Sequence, residues 1–252
     1  MNCRCTIASL GCLLGLVSPL AAQQTIPTVR MECPASVEPA QQPRVALVLA
    51  GPYSDPIAGR LTLTFSHTAV NAGDDPAIQF SSGGRTATFT VAAGSTRAEF
   101  TLQSGTVAGS IRLTATLEAG GVSVTPSPPP ACSIAVPRSA PVITEVVVER
   151  TGTGFNVFVT GYSTPRQVLE ARYRFLPKAG YTWAPIEVVI PQETLSARFT
   201  TWFRGGASTQ FGSQFTLRQP FTVGQYVQSI GSVYVTLRNQ EGLSAEQSAT
   251  FP

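Results

Sequence analysis

Prolines crowd one stretch of this chain. The run 125–141 reads TPSPPPACSIAVPRSAP, with proline at positions 126, 128, 129, 130, 137 and 141. Each proline fixes φ and removes a backbone donor, so a run this dense is excluded from helices and from central strands. The expectation is a stiff, extended connection with a domain-sized length of sequence on either side. The chain therefore reads as two domains on a proline hinge, and nothing in the sequence sets the angle between them.

Both flanks read as β. In the first domain, 23–136, apolar residues recur every second position: Val45, Leu47 and Leu49; Leu61, Leu63 and Phe65; Ala87, Phe89 and Val91; Ala98, Phe100 and Leu102; Ile111, Leu113, Ala115 and Leu117. Threonine and arginine fill the alternate positions of the longer runs, which is the pattern of an antiparallel sheet packed on a partner sheet. Turn signals separate the runs at Gly51-Pro52, Asp74-Asp75-Pro76, Gly83-Gly84, Gly94-Ser95 and Gly120-Gly121. The second domain, 139–252, is richer in aromatic residues. Its strand candidates are 142–150, 155–161, 168–175, 186–190, 196–203, 214–217, 232–239 and 245–251. The fold class expected is all-β, two tandem antiparallel sandwiches, with the linker 125–141 overlapping the end of the first.

Residues 1–22 have the organisation of a cleaved signal peptide: Arg4, an apolar stretch over 7–17, and the small-residue end Leu20-Ala21-Ala22. Ser9-Leu10-Gly11-Cys12 has the look of a lipoprotein box, but most of the apolar stretch would then follow the cut. Nothing after residue 22 has the continuous apolar length of a membrane helix. A membrane β-barrel needs a long unbroken meander, which the proline run interrupts. With the leader go Cys3, Cys5 and Cys12. The two cysteines left, Cys33 and Cys132, most economically pair with each other in an exported chain. The expected location is secreted, extracellular or periplasmic.

Two stretches carry family resemblances. Residues 78–100, IQFSSGGRTATFTVAAGSTRAEF, resemble the strand, turn and strand of Calx-beta domains and of bacterial extracellular immunoglobulin-like modules. Residues 159–175, VTGYSTPRQVLEARYRF, with 211–223, FGSQFTLRQPFTV, and SIGSVYVTLRN ending at Asn239, resemble an uncharacterised C-terminal module of secreted proteins of the acidobacterial type. The resemblance implies export and an immunoglobulin-like sandwich, and assigns no activity.

Groups able to do proton chemistry are few. His67 is the single histidine and falls at a strand end, in phase with Leu61, Leu63 and Phe65. No Gly-x-Ser-x-Gly elbow accompanies it, and a zinc site would lack nitrogen and sulfur ligands. Asp74 and Asp75 lie in the turn NAGDDPA. Together with Asp55 in another turn they are the one conceivable calcium set, at a spacing that matches no known loop. As a glycosidase pair they lack a signature.

Recognition is better represented than catalysis. Tyr181 and Trp183 lie in a turn and strand edge, and Trp202, Phe203 and Arg204 precede the loop 205–210. On a strand, neighbours point to opposite faces, so either Trp202 or Phe203 is left to cover an edge or face solvent. A ring exposed beside Arg204 can stack on a sugar or dock a protein loop. Arg166, Arg172 and Arg174 suggest an anion site, although a solvated face paired with Glu170 accounts for them more plainly.

A net charge of +3, carried by scattered arginines and the lone Lys178, excludes an electrostatic footprint for nucleic acid. The sequence thus points to an exported, non-enzymatic structural or binding module without a cofactor, active in adhesion or as a spacer at the cell surface. The alternative is a carbohydrate-binding module. For the chain as a whole the expected partner is a polysaccharide or a surface protein, and the ligand residues would be Trp202, Arg204, Trp183 and Tyr181.

Overall fold

The alternating apolar runs become paired strands in the computed structural model, which describes residues 25–251. The expected signal peptide, 1–22, lies outside the described residues. In the N-terminal half, β1 (Val29–Glu32), β2 (Arg44–Leu49), β6 (Arg97–Gln103) and β4 (Gln79–Phe80) form one sheet in that order. The facing sheet runs β5 (Thr86–Val91), β3 (Ile57–His67) and β7 (Gly109–Ala119), with β8 (Val122–Ser123) and β9 (Ala131–Val136) both on β7. Every strand pairing is antiparallel. The period-two pattern explains the layering. Leu61 and Leu63 of β3 and Ile111, Leu113, Ala115 and Leu117 of β7 are buried against Val45, Leu47 and Leu49 of β2, while Thr62, Thr64 and Thr116 face water.

The C-terminal half repeats the plan. A sheet of β10 (Val142–Thr151), β11 (Gly154–Tyr162) and β14 (Gln214–Thr222) packs on one ordered β13 (Ile186–Ile190), β12 (Glu170–Pro177) and β15 (Ile230–Asn239). The short strands β16 (Gly242–Leu243) and β17 (Gln247–Thr250) complete the second sheet, both on β15. Phe155, Phe175, Phe221 and Phe251 meet between the sheets with ring centroids 4.7–5.5 Å apart. The molecule is all-β in class, two immunoglobulin-like sandwiches in tandem. Among the described residues, no helix is long and apolar enough to cross a membrane.

Three expectations change. Residues 196–203 are not a strand; they belong to the helix α1 (Gln192–Arg204). Leu195, Phe199 and Phe203 recur at intervals of four and are all buried, so a helix puts three large side chains on one face. A strand would have buried Ala197 and Thr201 in phase with them. Pro191 starts the helix, and the N–H of Gly205 closes it on the carbonyls of Thr201 and Trp202.

The proline run, in turn, is not linker throughout. Its proline-free centre, 131–136, is β9, paired with β7 from Ala131↔Thr114 to Val136↔Gly109. Its other edge is covered by the segment 35–37, which exchanges backbone hydrogen bonds with Ala135. The expected disulfide is formed: Cys33, just past β1, is bonded to Cys132 in β9 and ties the two sheets together.

Finally, the angle between the halves is held by more than the prolines. The β11–β12 loop docks on the N-terminal half, where Val70 N–H donates to Pro165 O and Ala108 N–H to Thr164 O, each at 2.9 Å. Ser213 donates its N–H to Thr106 Oγ1 at 3.1 Å and its hydroxyl to Thr106 O at 2.7 Å. At the centre is Arg166, 1% exposed and with a left-handed φ of 53°. Its guanidinium donates to the carbonyls of Gly212 and Phe203 and to Ser208 Oγ, and lies over the Phe203 ring. Its own carbonyl accepts from Asn71 Nδ2 of the other half. Burial pulls the Arg166 pKa below the usual arginine value, and the charge of Asp75 opposes this.

Candidate functional site

The side chains expected to bind a ligand do not converge. Trp202, on the last turn of α1, is half-buried against the core and opens onto a surface groove. Arg204, two residues on, turns the other way and donates from Nε to Asn71 Oδ1 at 3.3 Å, so it belongs to the junction. Tyr181 and Trp183 sit in the β12–β13 connection, on the opposite sheet from the groove. Tyr181 is 48% exposed, whereas Trp183 packs on the core with its indole N–H buried. The strand argument fails for Trp202 and Phe203 because both are helical. It still anticipates their contrast: Phe203 is core and Trp202 is at the edge.

The acidic set is also dispersed. Asp55 precedes β3 and Asp74 and Asp75 follow its far end, so the 11-residue strand holds them roughly 30 Å apart. Asp74 pairs with Arg85 at 2.6 Å. Burial raises its pKa, but the Arg85 guanidinium and the N–H of Asp75 outweigh this and hold it below the ordinary carboxylate value. Asp75 is 1% exposed and serves as an internal anchor, its Oδ2 accepting from the N–H groups of Thr106 and Val107. Among the described residues, no three His, Cys, Asp or Glu side chains are grouped to hold a metal. His67 is exposed at the end of β3. Arg172 and Arg174 are parted from Arg166 and lie on the outer face of β12, bonded to Glu170 and Glu246.

The geometry instead builds a groove of about 450 Å³ between α1 and the outer edge of β14. From the helix come Arg198 and Trp202, one turn apart on one face, with Phe199 beneath them. From the strand come Gln214, Thr216 and Arg218, whose side chains share its outer face, and from the 3₁₀ turn Gly206–Phe211 comes Phe211. The Trp202 and Phe211 rings are nearly parallel, 21° apart with centroids at 6.1 Å, and Phe211 is 45% exposed. Thr160 of β11 lies beside Thr216, hydroxyl to hydroxyl at 3.2 Å.

The walls are braced by β14's own backbone. Trp202 Nε1 donates to Gln214 O at 3.3 Å and Arg198 Nη2 to Arg218 O at 2.9 Å. Arg218 in turn donates to Asn156 Oδ1 at 3.1 Å. Among the described residues, neither Arg198 nor Arg218 has a carboxylate partner, in contrast to Arg172, Arg174 and Arg238. Of these groove residues the sequence by itself points only to Trp202. The four-residue spacing of α1 was the signal that would have placed Arg198 beside it, whereas nothing in the sequence pairs Phe211 with Trp202.

A second depression, on the threonine-rich face of β3, β5 and β7, holds Arg60, Glu118 and the single ring of Phe89. It lacks a paired aromatic surface.

No protein-family model matches the sequence, and no curated protein matches it. Among solved structures, one similar chain is that of the chicken CNTN1 FN1–FN3 domains. Sequence identity is 11%, the match covers 87% of this chain and 68% of that one, and the TM-score is 0.26. At that score the likeness carries no argument, and the fold rests on the sheets themselves.

Proposed function

We propose that this chain is an exported, non-enzymatic binding module that works at the cell surface or outside it and holds a polysaccharide in the groove between α1 and β14. The observation that carries this is the near-parallel pair Trp202 and Phe211 on one half-open wall, with hydroxyl and amide groups opposite. Aromatic faces take the apolar faces of sugar rings while Thr160, Thr216 and Gln214 supply hydrogen bonds to hydroxyls. The titratable groups lining the groove are two arginines, which suit binding and not proton transfer. The Cys33–Cys132 disulfide and the signal-like leader support export. The interlocked junction suits a spacer that presents the groove at a set angle.

The test is retention of the purified chain on a panel of neutral and charged polysaccharides, with Phe211→Ala and Trp202→Ala run in parallel and thermal unfolding recorded for each. Saturable retention that both variants lose while still folded is the expected result. If no polysaccharide is retained, or if both folded variants bind like the parent, the reading is wrong and the search moves to protein partners.

A further inference from the structure

Resting on that reading, we infer that the groove selects an acidic glycan, one that bears carboxylates on its sugar rings. Along the groove, Trp202 is level with Gln214 and Arg198 with Arg218, as their hydrogen bonds to those carbonyls show. The aromatic pair therefore marks one end and the two guanidiniums the other. The offset is about 6 Å on the helix and about 13 Å on the strand, so one ring can stack while a carboxylate further along the same polymer meets the arginines.

These arginines are set for an anion. Their hydrogen bonds go to neutral oxygens, namely Arg218 O, Gln219 Oε1 and Asn156 Oδ1, which fix the side chains without neutralising them. Charged hydrogen bonds to a carboxylate are the strong, geometrically specific kind.

The same geometry argues against an extended acidic peptide. Such a peptide would add a strand to the free edge of β14. Of the outward positions 214, 216, 218 and 220, the carbonyls of Gln214 and Arg218 already accept side-chain bonds and Pro220 has no N–H to offer, which leaves an added strand a full set of backbone bonds only at Thr216. The edge is blunted while the ring platform and hydroxyls stay open.

The experiment measures affinity of the purified chain for polygalacturonate, for the same polymer with its carboxylates methyl-esterified, and for polyglutamate. The expected result is binding to polygalacturonate about tenfold or more tighter than to the ester, the size set by one charged hydrogen bond. Arg198→Gln and Arg218→Gln should each bring the ratio of acid to ester affinity down to about one, and Arg112→Gln on the N-terminal half should leave that ratio intact. Equal binding of acid and ester, no binding of polygalacturonate, equal binding of polyglutamate, or an equal loss in Arg112→Gln would each overturn the inference. The outcomes separate the two readings. Equal binding of acid and ester that is lost in Phe211→Ala removes the acidic preference and keeps the groove, whereas binding that survives Phe211→Ala removes the groove itself.

Discussion

Gly212 of the C-terminal half lies directly against the carboxylate of Asp75 in the N-terminal half: a Cβ built on the glycine would sit 2.6 Å from Asp75 Cγ. The glycine also has φ of 60°, a conformation that other residues adopt at a cost. Gly212→Ala is expected to cost about 2 kcal/mol or more. Asp75→Asn should cost about 2 kcal/mol by another route, since an amide cannot accept from all the donors at Thr106, Val107 and Ala77. Urea unfolding of each variant checks both, and a midpoint unchanged in either would show that the contact is slack.

Arg166 and Arg172 provide a matched contrast. Arg166→Met leaves the carbonyls of Phe203 and Gly212 without a donor inside the protein, and a loss of about 3 kcal/mol is expected. Arg172→Met removes an exposed guanidinium from Glu170 and, at 4.0 Å, from Glu187, and a much smaller loss is expected. Comparable losses for the two would remove Arg166 from the centre of the junction.

Reduction of the disulfide opens a loop of 99 residues. On the chain-entropy account the folded N-terminal half loses up to about 5 kcal/mol, and Cys33→Ser with Cys132→Ser should reproduce the effect of a reductant. Thermal unfolding with and without reductant measures it. A melting temperature indifferent to reductant would mean that the sheets hold without the tie.

Acid should weaken the fold through carboxylates held by arginines, Glu170 and Asp74 among them. Hydrogen bonding from Arg172 and then Arg238 holds Glu170 below its ordinary value of 4.5 against partial burial. Asp74 is held below 3.8, with Arg85 outweighing its burial. Because the folded values are depressed, their contribution is complete above about pH 4.5 and fades as pH falls through the lowered values. Melting temperature followed from pH 6 down to about pH 2.5 should show this decline, and Arg85→Gln should make it shallower. A profile unaltered in that variant would place the acid sensitivity elsewhere.

How much of this was legible in the sequence depends on the period involved. β3, β7 and β15 bury every second side chain, and the expected runs at 61–65, 111–117 and 232–239 fall inside them. Residues 186–190 coincide with β13. α1 reads as a strand in the sequence because Phe, Trp and Thr favour strands locally, and only the spacing of Leu195, Phe199 and Phe203 opposes that preference. Arg166 and Asp75 are charged residues that the fold buries by supplying partners from distant segments of their own halves, Phe203, Ser208 and Gly212 for the first and Thr106 and Val107 for the second, and no local pattern announces them. The groove is half-legible for the same reason: the sequence places the Trp202 ring at an edge, but Phe211 and Arg218 reach it only through the packing of α1 on β14.

The junction is asymmetric. Asp75 obtains its donors from Ala77, Thr106 and Val107, all within the N-terminal half, so its seat is complete without the C-terminal half. The carbonyl of left-handed Arg166, by contrast, accepts from Asn71 across the junction. The first sandwich is therefore the mould on which the second is cast: parted from its neighbour, the N-terminal half keeps its anchor, and the C-terminal half loses one.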